Sequence, residues 1–231
     1  QRVALKMMSH RLVCSAEAVE RFQLEADLIQ RLDHPNIVGM LRRFTAFRTY
    51  FIVIEFCVGE TLERFIRRNG PMPESAFRQH LGQIAKGLQH AHAAGIIHRD
   101  IKPSNIMRLT DGAVKLMDFG LAQPVIGVLE QDIVGTPRYM APEQRLGRPL
   151  DQSADCFSLG CVAYEMLTGR PLFRGDPPTE ISRDFQDWQP PEFAQLGIEL
   201  SESTVSVLQP LLCIDPRDRN VELDQIASWD S

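Results

Sequence analysis

His98-Arg99-Asp100-Ile101-Lys102-Pro103-Ser104-Asn105, with Asp118-Phe119-Gly120 opening 13 residues after Asn105, sets acids, cations and an asparagine close together between apolar runs. Ile106 to Leu109 and Val114 to Met117 flank Thr110-Asp111-Gly112, a turn signal that predicts a small hairpin between the two motifs. Taken alone, the polar groups are accounted for as loop caps beside that hairpin. Upstream, Leu81, Ile84, Leu88 and Ala91 form one stripe of a helix predicted from about Pro73 to Ala94, with Gly95 suited to the left-handed position at its end. Downstream, Gly120 to Asp151 has no steady period and is expected to be a long ordered loop. Helix returns at about Ala154 to Thr168, closed by Gly169 and Pro171, and continues to the end with a break at Asp215-Pro216.

Most strand signal lies earlier. Val3 to Met8, Met40 to Phe47 and Phe51 to Cys57 read as strands, and a short helix near Leu62 to Arg68 stops at Asn69-Gly70-Pro71. Between the first two strands, Val19, Phe22, Ala26, Ile29 and Leu32 recur at spacings of three and four, which predicts a helix from Ala16 to Leu32 with one buried face. Strands early and helices late give an α+β class. The expected division is a small strand-rich part over residues 1–58 and a larger helical part over 59–231, with the boundary near Val58 to Thr61.

Composition removes several alternatives. A net charge of −5 gives no general attraction to nucleic acid or to an anionic membrane, so any partner must be recognised locally. The five cysteines form no C-x-x-C pair, which argues against a disulfide framework or a zinc site and for reduced thiols in the cytosol. The strand-like run Tyr50 to Cys57 is short and contains Glu55, so nothing in it spans a bilayer. His90, His92 and His98 are read as exposed or core-packed side chains rather than ligands, and Trp188 and Trp229 as packing anchors. The first residue, Gln1, suggests an excerpt of a longer chain.

The catalytic-loop stretch and Asp118-Phe119-Gly120 resemble the corresponding motifs of eukaryotic-type (Hanks-type) serine/threonine protein kinases, and the tract Ala141 to Phe173 looks most like bacterial members. The resemblance runs from Val3 to about Ile226 and implies the bilobal protein-kinase fold, with ATP and Mg2+ as the expected cofactors and serine or threonine of a protein as the acceptor. It makes Asp100 the group that accepts or orients the hydroxyl proton and Lys102 a stabiliser of the transferring phosphate. It makes Asn105 and Asp118 the metal ligands, oxygen donors of the kind magnesium prefers. Val3-Ala4-Leu5-Lys6 looks like the strand whose lysine grips the phosphates, with Glu25 its partner and His34-Pro35-Asn36-Ile37-Val38 following where kinases carry that tract. Ile54-Glu55-Phe56-Cys57 resembles the hinge, where backbone groups of Glu55 and Cys57 would meet adenine between Ala4 as roof and Met107 as floor. Gly135-Thr136-Pro137-Arg138-Tyr139-Met140-Ala141-Pro142-Glu143 resembles the substrate-anchoring loop, Thr136 is expected to contact Asp100 and Lys102, and Arg219 is expected to neutralise a buried Glu143.

Two departures from the family pattern stand out. No G-x-G-x-x-G occurs, so the first two strands and the glycine-rich loop would precede Val3, and the chain alone is expected to bind ATP poorly. Leu121 to Val134 contains no Ser, Thr or Tyr; Glu130 and Asp132 are read first as solvated loop acids, and the alternative is that Asp132 stands near Arg99 as a fixed, weaker charge in place of a phosphate. A small-molecule kinase would not be expected to carry Lys102-Pro103 or the Thr136 to Glu143 tract. A pseudokinase acting as a binding scaffold would be marked by loss of Lys6, Asp100, Asn105 or Asp118, and all four are present. The location implied is cytoplasmic, including the cytoplasmic part of a membrane-anchored receptor kinase.

Overall fold

The computed structural model describes residues 2–119, 122–124, 136–173, 188–193, 197–219 and 223–230. Strand β1 (Val3–Met7) and strand β2 (Met40–Ala46) both pair antiparallel with β3 (Thr49–Glu55), giving the order β1-β3-β2. Helix α1 (Ala16–Gln30) joins β1 to β2, and Ser15 starts it by accepting the Ala18 N–H at 3.2 Å. Its buried side chains are Glu25, Ala26, Leu28 and Ile29, so the apolar face expected from periodicity carries one acid within it.

A second sheet follows: β4 (Gly59–Thr61) pairs with β6 (Ile106–Leu109), which pairs with β7 (Val114–Leu116). Strand β4 was not expected, because three residues are too few to show a period. Thr61 then caps α2 (Leu62–Asn69), and the long helix α3 (Glu74–Ala93) ends at Gly95, whose φ of 73° is the left-handed conformation predicted for it. The α3 stripe Leu81, Ile84, Leu88 and Ala91 is fully buried together with Phe77. It packs against the β6–β7 hairpin and α5 (Ser153–Thr168), and each of its leucine, isoleucine and phenylalanine side chains contributes roughly 1.5 to 3 kcal/mol of apolar burial. Helix α6 (Glu202–Leu211) lies on α5, and α7 (Leu223–Ala227) lies on α3. Trp229 meets Phe77 at 6.2 Å between ring centroids, and Trp188 meets Phe173 at 4.8 Å while donating to Leu212 O, so both tryptophans anchor the helical part.

The described portion of 120–151 is not an uninterrupted loop. It holds β8 (Gln123–Pro124), paired with β5 (Ile96–Ile97), a 3-10 turn at Pro137–Tyr139 and helix α4 (Pro142–Arg145). Pro137 and Pro142 stand in the first turn of their helical pieces, where the missing N–H has no partner to lose. Among the described residues, no helix is long and apolar enough to cross a membrane.

Gly87, inside α3, tests how closely the parts approach. A Cβ built there would lie 2.8 Å from the backbone oxygen of Asn36. Alanine normally improves a helix interior by up to about 1 kcal/mol. Here Gly87→Ala is expected to destabilise by about 1 to 3 kcal/mol, because backbone must move. A denaturant midpoint at or above wild type would show that the approach is looser than 2.8 Å.

Candidate active site

The β6–β7 hairpin explains the spacing of the two motifs. Asn105 stands just before β6 and Met117 just after β7, and the Met117 N–H donates to Asn105 O at 3.0 Å. The turn folds the intervening chain back on itself, so Asn105 and Asp118 arrive at the same end. Asn105 also closes the loop before it, donating from Nδ2 to Asp100 O and Asp100 Oδ2, each at 2.9 Å.

Asp100 is the centre of a second set of contacts. Lys102 Nζ lies 2.7 Å from Asp100 Oδ2 and donates to Thr136 Oγ1 at 2.6 Å, while Thr136 donates to Asp100 Oδ1 from Oγ1 at 3.1 Å and from its N–H at 3.2 Å. The expected contact of Thr136 with both residues is therefore present. A largely buried carboxylate that receives this many donors is fixed in orientation.

Asp155, at the start of α5, supports the loop from within the core. Its Oδ2 accepts the His98 N–H at 2.8 Å and a hydrogen bond from His92 Nε2 at 2.7 Å, and its Oδ1 accepts the Arg99 N–H at 2.9 Å. Full burial pushes the Asp155 carboxyl up, but the hydrogen bond and charge of His92, joined by His98, hold it below the usual range. Arg99 has φ 65°, a conformation that costs a non-glycine residue about 1 to 3 kcal/mol, and the Asp155 contact to its N–H holds it there. His98 is fully buried, which pushes its pKa down. Its Nδ1 accepts from the Asp100 N–H at 3.3 Å, so the neutral ring carries its proton on Nε2, facing Met117 O at 3.2 Å.

Lys6 joins the first sheet to this region. Its ammonium lies 2.5 Å from Glu25 Oε1 and 2.7 Å from Asp118 Oδ1, linking β1, α1 and the segment after β7. Burial lowers the lysine pKa, and the two carboxylates outweigh it, so the ammonium stays above its ordinary range. Asp118 has φ 64°, the second non-glycine left-handed residue in the site. Glu143 and Arg219 form the expected buried pair, with Arg219 Nη1 and Nη2 at 2.5 and 2.8 Å from the two carboxylate oxygens.

The residues expected around adenine lie on both sheets. Ala4 is opposite Ile54 and Val3 opposite Glu55 in the first sheet, while Met107 pairs with Thr61 and with Lys115 in the second. Cys57 is half-buried, and burial pushes its thiol up. Asp132 lies outside the described residues.

The protein kinase domain family matches residues 1–227. This chain belongs to that family. Among curated relatives, the kinase domain is 38% identical over 194 residues to a probable serine/threonine-protein kinase PknB of Bifidobacterium longum, covering 78% of this chain and 28% of the relative. It is 34% identical over 232 residues to a probable serine/threonine-protein kinase of Corynebacterium efficiens, covering 95% and 35%. It is 35% identical over 213 residues to the serine/threonine-protein kinase PknB of Mycobacterium leprae, covering 88% and 34%. The chain thus spans about a third of the length of the curated relatives it matches.

Two parts of the kinase site had no sequence signal. His92 was read as an exposed or core-packed side chain, yet it is the hydrogen-bond partner of Asp155, a choice made by how α3 meets α5. Glu55 was expected to act through its backbone alone, yet its side chain is bonded to Lys115 Nζ at 2.6 Å and to the Gly39 N–H at 2.8 Å. A lysine in the middle of a three-residue strand offers nothing to distinguish it from a solvated charge.

Proposed function

We propose that this kinase domain transfers the γ-phosphoryl group of ATP to serine or threonine hydroxyls of protein substrates. The observation that carries the reading is the double tether of the site: Asp100 held by Asn105, Lys102 and Thr136, and Asp118 held by Lys6, whose ammonium also binds Glu25. The serine/threonine preference follows the relatives' names and Lys102-Pro103 in the loop. Residues 1–58 form the small lobe and 59–231 the large one, with ATP between Ala4 above and Met107 below.

In this reading Asp100 accepts the acceptor hydroxyl's proton while that oxygen forms a bond to the γ-phosphorus and the bond to the β-bridging oxygen breaks, releasing ADP. Lys102 faces the developing phosphate charge, and Lys6, oriented by Glu25, holds the α- and β-phosphates. The donor set fits magnesium: Asn105 spends its amide nitrogen on Asp100 and keeps its oxygen, and the Asp118 carboxylate is substantially exposed. When bound, magnesium neutralises the phosphate charge and fixes the phosphates' geometry. The same chemistry requires a compartment that supplies ATP, consistent with a cytoplasmic location.

Asp118→Asn tests the assignment. Calorimetry of ATP binding to the full-length protein, with and without magnesium, is expected to show the magnesium-dependent part of the affinity falling by about tenfold or more in the variant. Identical metal dependence in wild type and variant would remove Asp118 from the metal site.

A further inference from the structure

The connection between α1 and β2 is bound to the second sheet as though it were an extra strand. The Leu116 N–H donates to Asn36 O and the Val38 N–H donates to Leu116 O, both at 2.8 Å, and Ile37 bridges Leu116 in parallel. Asn36 Nδ2 donates to Val114 O at 2.9 Å and to Gln83 Oε1 at 3.2 Å, which fastens the same segment to α3. This block then reaches the end of β3 at one residue. Glu55 exchanges backbone hydrogen bonding with Gly39, its N–H donating to Gly39 O at 3.0 Å, while its carboxylate takes the Gly39 N–H at 2.8 Å and the Lys115 ammonium at 2.6 Å. Lys115 also approaches Ile37 O at 3.4 Å.

We propose that Lys115 is a positioning residue for nucleotide binding: its ammonium clasps Glu55 and so holds the end of β3 against the β6–β7 hairpin. The proposal rests on the kinase reading above and adds a residue that touches neither the phosphates nor the acceptor.

The register says why that position matters. Lys115 is directly opposite Met107, so both side chains leave the same face of the hairpin. Glu55 is opposite Val3, next to Ala4. The clasp therefore ties the sheet that supplies the roof of the adenine site to the hairpin that supplies its floor. Both charges also reach Cys57, whose thiol is pushed up by burial and by Glu55 and drawn back by Lys115. A flat base stacked between two sheets is held well only when their spacing is fixed, and binding that must first fix it is weaker by that cost. The Lys115 side chain is 15% exposed, so this pair is less screened than a surface ion pair.

Lys115→Met keeps the stem and removes the charge. In the full-length protein it is expected to raise the Kd for magnesium-ATP by calorimetry, and KM for ATP in peptide phosphorylation, by about fivefold, with kcat within about twofold. Lys115→Arg, which can reach the same carboxylate, is expected to stay within about twofold of wild type in both. Glu55→Gln, which keeps an oxygen for Gly39, is expected to weaken ATP in the same direction, and it carries the test if Lys115→Met fails to fold. In the double variant the two effects do not add. An unchanged ATP affinity in the charge-removing variants, or a fall in kcat at constant KM, overturns the clasp while leaving the kinase reading intact. A wild-type protein that binds no ATP overturns the kinase reading and the clasp with it.

Discussion

Asp100→Asn is expected to lower kcat for phosphorylation of a serine peptide by about a thousandfold while the Kd for magnesium-ATP stays within about twofold. The substitution keeps the side chain's shape and removes its charge and basicity. Its loss falls on the step in which the acceptor hydroxyl gives up a proton, since an amide cannot take it. In the proposed assignment the nucleotide is held elsewhere, by Lys6, which binds Glu25 and Asp118. Local repair is also poor. Oδ2 of Asp100 now receives Lys102 Nζ and Asn105 Nδ2, while Oδ1 receives the hydroxyl and the N–H of Thr136. An asparagine must place an NH2 against donors on one side or the other. Steady-state kinetics with saturating ATP, paired with calorimetry, separates the two effects. A variant with wild-type kcat would remove Asp100 from the chemistry, and a variant that lost ATP affinity in proportion to kcat would make its role architectural.

What the sequence made legible and what it did not divide along a physical line. The α3 stripe was readable because four apolar residues share one helical period, and the pairing of Lys6 with Glu25 was readable because kinases repeat that lysine strand, that helix and the His34 to Val38 tract in order. The hairpin that returns the chain from Asn105 to Asp118 was legible in the Thr110-Asp111-Gly112 turn signal, while its β6–β7 register and the bond from Met117 to Asn105 come from the structure. The contacts with no signal are single side chains whose partners come from another element. His92 meets Asp155 because α3 packs on α5, and Lys115 meets Glu55 because the 36–39 segment lies along β7. Neither residue type nor spacing records such a meeting. Elements of two to four residues, such as β4, β5 and α4, were missed for the different reason that they are shorter than any period.

Removing either partner of Glu143 and Arg219 is expected to cost about 3 to 5 kcal/mol of stability, because the survivor is left as an unpaired charge in the core. Neither side chain reaches solvent appreciably, at 6% and 0% exposed, and the guanidinium meets both carboxylate oxygens. Arg219 makes further hydrogen bonds to Cys213 O, Ile214 O and Ser153 O and lies over the Phe157 ring at 4.9 Å. Loss of the arginine also removes a donor from three carbonyls, so Arg219→Met is expected to be worse than Glu143→Gln. For a domain of this size the range corresponds to a fall in Tm of roughly 6 to 20 °C. A double-mutant cycle isolates the pair: the double variant should be less damaged than the sum of the singles, with a coupling of about 1 to 3 kcal/mol. Coupling near zero would mean that the two charges are solvated independently. The effect is also expected to reach catalysis. Glu143 is the second residue of α4, which starts three residues after the Pro137–Tyr139 turn ends, and α4 returns to that turn through Arg145, which donates to Pro137 O. Thr136 immediately precedes the turn and is bonded to Asp100 and Lys102. Variants that remain folded at the assay temperature should therefore lose kcat before they lose ATP affinity, since in the proposed assignment the pair anchors the acceptor side of the site and Lys6 the nucleotide side.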